Sequence, residues 1–176
     1  FSCLTGPTEL QLCGNELGAD FGDSLGPSQS SLCLRELNLD GIGLGAAGIK
    51  ALGPWLRRMT CLEDLDLYQN ALGASGIKAL GPSLPFLSNL DLLELGCNEL
   101  GAEGGKALGP FLQHLTVLRE LNLDHNSLGI PGIRALGPHL QRLSSLETLH
   151  LDGNGIRALG GKVVGSLLKN LTNLDG

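Results

Sequence analysis

Short stretches of alternating apolar and polar residues recur along the chain, and each is followed by a longer stretch in which apolar residues lie three or four positions apart. One such unit begins LEDLDLYQN at residues 62–70. The asparagine that ends this stretch recurs every 28 residues, as Asn70, Asn98, Asn126 and Asn154. Ile42 occupies the same position one period earlier, and Asn15 lies 27 residues before Ile42. Six copies of one unit predict a solenoid of stacked repeats.

Each unit has two halves with different apolar periods. In the first half Leu65 and Leu67 alternate with Asp64 and Asp66, which predicts a short strand with the acidic residues on its outer face. In the second half, residues 74–87, the apolar spacing is helical. A Gly-Pro pair recurs here, at 26–27, 53–54, 81–82, 109–110 and 137–138. Because proline removes a backbone donor, we expect each helix to end near this pair, as at Gly81, and to continue as a 3₁₀-like turn.

The asparagine column closes each predicted strand. A buried amide at this position can bond backbone groups of adjacent turns that would otherwise lack a partner. We therefore expect a structural ladder formed by Asn15, Asn70, Asn98, Asn126 and Asn154. Ile42 cannot make these bonds, so the second repeat is expected to be locally looser or to use water.

The unit Leu-x-x-Leu-x-Leu-x-x-Asn-x-Leu, followed by the Gly-x-x-Gly of residues 73–76, resembles the ribonuclease-inhibitor-like class of leucine-rich repeats over residues 4–174. That class occurs in ribonuclease inhibitor, the activator of the Ran GTPase and NOD-like receptors. The resemblance implies an α/β solenoid of about six repeats, with a parallel β-sheet on the concave face and short helices and 3₁₀ turns on the convex face. The Gly-Pro pair and the uniform spacing depart from ribonuclease inhibitor, which alternates two unit lengths. The class is defined by the structural residues of its repeat and does not imply a particular binding partner.

The length of 176 residues suits one domain spanning 1–176. Neither end carries the polar cap that solenoids normally need, and the single methionine is internal, at Met59. We therefore expect a fragment of a longer repeat array whose uncapped ends can self-associate.

Charge and cysteine content exclude several classes. A net charge of −6 argues against a nucleic-acid or anionic-membrane partner. The five cysteines show no zinc-ligand spacing, so no metal is expected, and their odd number favours a reducing, cytoplasmic environment. Cys33 and Cys61 share a column about 5 Å apart, which permits a disulfide, but parallel side-chain vectors fit that bond poorly, so thiols are expected.

Two strings match catalytic or cofactor motifs. Gly43, Gly45 and Gly48 form a Gly-x-Gly-x-x-Gly dinucleotide signature, yet the last two are repeat columns. Ser24 lies in a Gly-x-Ser-x-Gly string but falls in a helical column without a strand leading into it. The repeat explains both strings, so we expect no cofactor and no enzymatic activity.

The outward strand positions and the convex face differ in charge. Half of the eighteen outward positions are acidic and none is Lys or Arg. The candidate protein-binding residues are Glu36, Asp40, Asp64, Asp66, Tyr68, Leu92, Glu94, Glu120, Asp124, His125, His150 and Asp152. Tyr68 is the best anchor, since tyrosine buries a large area and keeps a polar group. A basic column runs along the helices, and simple solvation explains it: Lys50, Lys78, Lys106, Arg134 and Lys162.

The sequence thus predicts a non-catalytic interaction module that binds a basic protein or peptide on its acidic concave face. The alternative is a structural or sensor segment of a larger receptor of the NOD-like type, which uses its ends or convex side. A ribonuclease inhibitor is less favoured, because six strands stack to only about 25 Å. A GTPase regulator would need a positioned catalytic group, and the pattern supplies none.

Overall fold

The strands form a single parallel sheet. The computed structural model describes residues 7–24 and 33–168; Cys3 and the Gly-Pro pair at 26–27 lie outside them. The strands are β1 Glu9–Gln11, β2 Glu36–Asn38, β3 Asp64–Asp66, β4 Leu92–Glu94, β5 Glu120–Asn122 and β6 Thr148–His150. They pair in chain order, and each is parallel to the next. Paired residues such as Leu65 and Leu93 are 28 apart in sequence.

Helices connect consecutive strands and pack side by side. They are α1 Phe21–Ser24, α2 Gly45–Leu56, α3 Gly73–Leu80, a 3₁₀ helix Gly81–Phe86, α4 Gly101–Leu112, α5 Gly129–Leu140 and α6 Arg157–Leu168. Between sheet and helices lies a continuous core of leucines and isoleucines, in which Leu65, Ile77 and Leu80 are fully buried. The predicted α/β repeat solenoid is therefore confirmed.

Strand and helix spacing set the curvature of the stack. Strands in a sheet lie about 4.8 Å apart, whereas packed helices lie about 8–10 Å apart. A stack with strands on one side and helices on the other must therefore bend towards the strands. We call the outer side of β1–β6 the concave face and the exposed side of α2–α6 the convex face.

The expected helix end at the Gly-Pro pair is correct for one repeat and wrong for three. Only α3 stops at Leu80 and continues as a 3₁₀ helix; α2, α4 and α5 run through their proline for two more residues. The third repeat has a second proline, Pro85, where the second and fifth repeats have Arg57 and Gln141. The backbone N–H groups of Arg57 and Gln141 donate to carbonyls four residues earlier at 3.2 Å. Pro85 cannot make this bond, so that segment tightens.

The glycine of the Gly-Pro pair makes room for the next repeat. A Cβ on Gly81 would overlap the ring of Phe111, and a Cβ on Gly109 would overlap the ring of His139. At Gly53 the neighbour is the smaller Ser83, whose hydroxyl donates to the Gly53 carbonyl at 3.1 Å. The side chain that follows each proline thus lies on the glycine of the preceding helix.

The segments that lead from strand to helix pass through left-handed backbone conformations. In the second repeat these positions are all glycine: Gly41, Gly43 and Gly45 have φ of 62, 76 and 57°. In the third repeat Gln69 and Ala71 adopt φ of 52 and 51°, which L-residues rarely do. The dinucleotide-like string is therefore explained by backbone geometry, with Gly43 placed where φ is positive.

The asparagine ladder is present in repeats three to six. The Asn98 amide donates to the carbonyls of Leu67, Leu95 and Gly96 at 2.8–3.1 Å, and its oxygen accepts from the N–H of Asn70 at 3.0 Å. Asn70, Asn126 and Asn154 are buried in the same way.

Asn15 does not join this buried ladder. It is exposed, and its amide donates to carbonyls of its own turn, Leu12 at 2.9 Å and Cys13 at 3.3 Å. Within the described residues, Asn15 makes no bond to an earlier turn of the kind that the ladder asparagines make. Ile42 is fully buried in place of an amide.

The expectation of free thiols at Cys33 and Cys61 is wrong, because they form a disulfide with Cα atoms 5.3 Å apart. Both cysteines lie three residues before a strand, in the turn, where side chains need not run parallel as they do within a sheet. Cys13 and Cys97 are free. The cysteines therefore no longer argue for a reducing compartment. None of the described helices combines the length and hydropathy that crossing a bilayer requires.

Candidate functional site

The concave face carries its side chains in columns that run across the strands. The first column contains Glu9, Glu36, Asp64, Leu92, Glu120 and Thr148. The second contains Gln11, Asn38, Asp66, Glu94, Asn122 and His150. The segments just after the strands add Asp40, Tyr68, Asp124 and Asp152. The predicted candidates therefore lie on or beside one face, with His125 at its edge, against Gly153.

A groove of about 280 Å³ opens at the middle of this face. We call it the central groove; its lining includes Glu36, Asn38, Asp64, Asp66, Leu92 and Glu94. Four of these six side chains are carboxylates, and all six are half-buried. Leu92 is the apolar member of the first column and places a hydrophobic surface among the acids.

Partial burial changes the ionisation of the central carboxylates. Desolvation, reinforced by Asp66 and Glu36, raises the pKa of Asp64 to about 6. Desolvation, with Asp66 and Glu120 adding to it, raises the pKa of Glu94 to about 7, although His150 opposes the shift. Burial also raises the pKa of Asp66. The groove therefore holds carboxyl groups whose negative charge is not compensated by the protein itself.

The second column also shapes the ends of the strands. The backbone N–H of Tyr68 donates to Asp66 Oδ1 at 2.9 Å, and the N–H of Asp124 donates to Asn122 Oδ1 at 2.8 Å. Glu94 has one more methylene, and two positions after it Gly96 replaces the outward side chain. Glu94 is thus the acid of this column that is most available for contacts with another molecule.

Tyr68 is held in place by the next repeat. A Cβ on Gly96 would lie 2.8 Å from the Tyr68 ring, so the ring rests on a position that only glycine leaves open. The thiol of Cys97 donates to the Tyr68 hydroxyl at 3.0 Å, and this contact raises the pKa of Tyr68. A positioned aromatic ring beside a polar groove is a typical anchor at protein interfaces.

Sequence reasoning missed a row of ion pairs along one edge of the sheet. Arg35 pairs with Glu63 at 2.9 Å, and Arg119 holds both carboxylate oxygens of Asp91 at 2.7 and 2.9 Å. The second pair lowers the pKa of Asp91. These residues directly precede the strands and are 28 apart, which is the signal that could have revealed them. Exposed pairs of this kind contribute little stability, so we interpret them as setting the edge of the acidic face.

Ser24, the serine of the Gly-x-Ser-x-Gly string, lies in the short helix α1. The hydroxyl of Ser24 donates to the Phe21 carbonyl at 2.6 Å, inside the short helix α1. Among the described residues, no three His, Cys, Asp or Glu side chains are arranged to hold a metal ion.

Comparison with known proteins identifies the repeat. The sequence profile described as Leucine Rich repeat matches residues 58–81, 87–109, 114–137 and 142–165, more than half of the chain. No curated protein matches the chain significantly. Proteins built from these repeats are generally non-catalytic scaffolds for protein–protein interaction. With its stacked parallel strands and outer helices, this chain belongs to the leucine-rich repeat family.

Proposed function

We propose that this chain is a protein-interaction module, with repeats of the ribonuclease-inhibitor-like class, and that its concave face binds a basic protein or peptide. The observation that carries this proposal is the central groove, where Asp64, Asp66 and Glu94 lie together without a Lys or Arg among the lining residues. A partner cation placed there would supply the charge that the groove lacks.

Proton linkage supports a cationic partner. Asp64 and Glu94 have raised pKa values because their charges are partly desolvated and close to one another. A lysine or arginine bound between them would favour their ionised forms and lower those values. Binding near neutral pH should therefore release protons, and affinity should fall as the pH is lowered through 7 and 6.

Tyr68 and Leu92 provide the apolar part of the proposed contact. Both are half-buried and lie within or directly beside the acidic columns. A partner residue that packs on Tyr68 would also exclude water from the nearby carboxylates, which strengthens their interaction with a cation.

The test is a pull-down from lysate with the protein and two variants of equal charge change. The first variant neutralises the groove by Asp64→Asn, Asp66→Asn, Glu94→Gln and Glu120→Gln. The second neutralises four exposed acids elsewhere by Glu16→Gln, Asp20→Asn, Glu99→Gln and Glu103→Gln. We expect a basic protein that both the parent and the second variant retain, that the groove variant loses, and that moderate salt releases. Equal capture by both variants would overturn the proposal.

A second candidate function, a structural or sensor segment of a larger receptor, is supported by the outer side of α6. No described residue lies within 4 Å of a Cβ placed on Gly161 or Gly165. In the same column as Gly165, Gly81 and Gly109 are covered by the next helix. The described residues thus leave this surface uncovered, and another repeat or a second copy could pack on it. Concentration-dependent self-association that Gly165→Arg abolishes would support this candidate, and a monomer at every concentration would argue against it.

A further inference from the structure

The convex face contains a groove that the concave-face proposal does not use. It lies between α5 and α6 and has a volume of about 320 Å³. Its apolar lining includes Ile133, Pro138 and Val163, and its basic lining residues are Arg134 of α5 and Lys162 of α6. The volume is at the lower end of the range for small-molecule sites.

The groove is lined in part by Gly137, the glycine of the Gly-Pro pair in α5. Between the third and fourth repeats the ring of Phe111 lies on Gly81, and between the fourth and fifth the ring of His139 lies on Gly109. Beside Gly137, the next glycine of this column, the structure has a groove.

The charged residues that line the groove are basic. Arg134 and Lys162 are consecutive members of the basic column, and no acidic side chain lines the groove among the described residues. Both cations are exposed, and within the described parts of the chain neither has an ion-pair partner. In contrast, Lys106 of the same column pairs with Glu103 at 2.6 Å.

The groove also contains polar side chains that bear on anion binding. Gln141 offers a side-chain amide that can donate to an anion. The Ser166 hydroxyl already donates to the Val163 carbonyl at 2.8 Å, so the anion's partners are the amide and the two cations.

We infer that this groove binds a small amphipathic carboxylate, with the carboxylate between Arg134 and Lys162 and a short alkyl chain on Pro138 and Val163. The two cations favour a negatively charged ligand, and the apolar surface favours a ligand that has an alkyl chain. Each methylene taken out of water strengthens binding about fourfold, so affinity should rise with chain length until the groove is full.

The test is an NMR titration of the full chain with sodium octanoate. We expect saturable shift changes confined to residues 133–141 and 162–166, in the millimolar range or tighter. Hexanoate should bind more than about tenfold more weakly, because two methylenes are lost. Octanol, which has the chain without the charge, should not compete.

Matched variants separate a site from general charge attraction. Arg134→Gln with Lys162→Gln should weaken octanoate binding about tenfold or more, since two charged hydrogen-bond donors are lost. Lys50→Gln with Lys78→Gln removes the same charge from the same column at α2 and α3 and should leave binding unchanged. Far-UV circular dichroism checks that both variants are folded.

Three outcomes would overturn the inference: absence of saturable octanoate binding, equal weakening by both variant pairs, or equally strong binding of octanol. The concave-face proposal does not depend on any of them, because no residue of the central groove lies at α5 or α6.

Discussion

The two faces of the solenoid use the same repeat in opposite ways. On the convex face, side chains such as Phe111 and His139 pack on glycines of the preceding helix, so residue size at these positions is set by the neighbouring repeat. On the concave face, the outward residues at successive strands contact solvent, and acidic residues accumulate there although they raise each other's pKa. Packing therefore limits residue size at these helix positions, whereas on the outward side of the strands it does so clearly at Gly96, under the Tyr68 ring.

The largest expected effect comes from breaking the asparagine ladder that lies between the two faces. Asn98→Leu removes three donated and two accepted hydrogen bonds at a fully buried site. Several backbone groups would then be buried without partners, so we expect a loss of about 3–5 kcal/mol in the free energy of unfolding. Chemical denaturation measures it. Asn15→Leu is the matched control, because Asn15 is exposed, and a comparable loss there would contradict the assigned role.

The next effect tests the packing of the convex face. Gly81→Ala should destabilise the protein by about 1–3 kcal/mol, because its Cβ overlaps the Phe111 ring and forces that ring to move. Phe111→Ala should remove the overlap, so the double variant should lose less than the sum of the two single variants. Additive losses in thermal denaturation would show that the ring does not constrain Gly81.

A smaller effect tests the charge of the concave face. Asp64 and Glu94 titrate at about 6 and 7 in the folded protein, above their ordinary values of 3.8 and 4.5. Between these limits the folded state holds more protons than the unfolded state, so stability must fall as the pH rises from about 4 to 7. After allowance for partial exposure, we expect a difference of about 1 kcal/mol, or a Tm about 2–4 °C higher at pH 5.5 than at pH 8.

The variant Asp64→Asn with Glu94→Gln should flatten this pH dependence. Glu103→Gln is the control on the convex face: Lys106 lowers the pKa of Glu103, so this substitution should leave the slope between pH 5.5 and 8 unchanged. An unaltered slope in the double variant would show that other groups cause the dependence.

The smallest effect concerns the left-handed backbone that joins the faces. Ala71 is exposed at φ 51°, so Ala71→Gly should stabilise the protein by about 0.5–1 kcal/mol. Ala74→Gly, inside α3, should destabilise it by a similar amount. If both substitutions shift the Tm in the same direction, backbone strain at Ala71 is not significant.

The sequence allowed the architecture to be predicted because its period is regular. The spacing of Leu65, Leu67 and Asn70 is sufficient to predict the strand, the inward leucines and the buried amide. The effect of the Gly-Pro pair was harder to predict. The helix continues past Pro54 because the backbone N–H of Arg57 donates to the Gly53 carbonyl, and the importance of this hydrogen bond became clear only from the structure. The contact between Gly81 and the Phe111 ring could not be predicted either. Phe111 lies 30 residues after Gly81, so the two residues do not occupy equivalent positions of the 28-residue repeat.

For the site, the sequence identified the acids of the concave face but not their ionisation. The raised pKa of Glu94 depends on how far its side chain is buried and on how close Asp66 and Glu120 come to it, and sequence spacing gives neither quantity. The contacts of Tyr68 with Gly96 and Cys97 could not be predicted from the sequence either, because they depend on how the Tyr68 side chain lies against the next repeat. The disulfide was misjudged because strand geometry was assumed for residues that lie in a turn.

The bond between Cys33 and Cys61 also has a mechanical consequence. Under tension along the solenoid axis, the junction between the second and third repeats is held by a covalent bond, whereas the junctions between β3 and β6 depend on backbone hydrogen bonds, the asparagine ladder and packing. A pulled molecule would therefore open first at the junctions without this bond, among them the one between β1 and β2, where Ile42 stands in place of a ladder asparagine. The second and third repeats would remain joined as a pair until the last junction had opened.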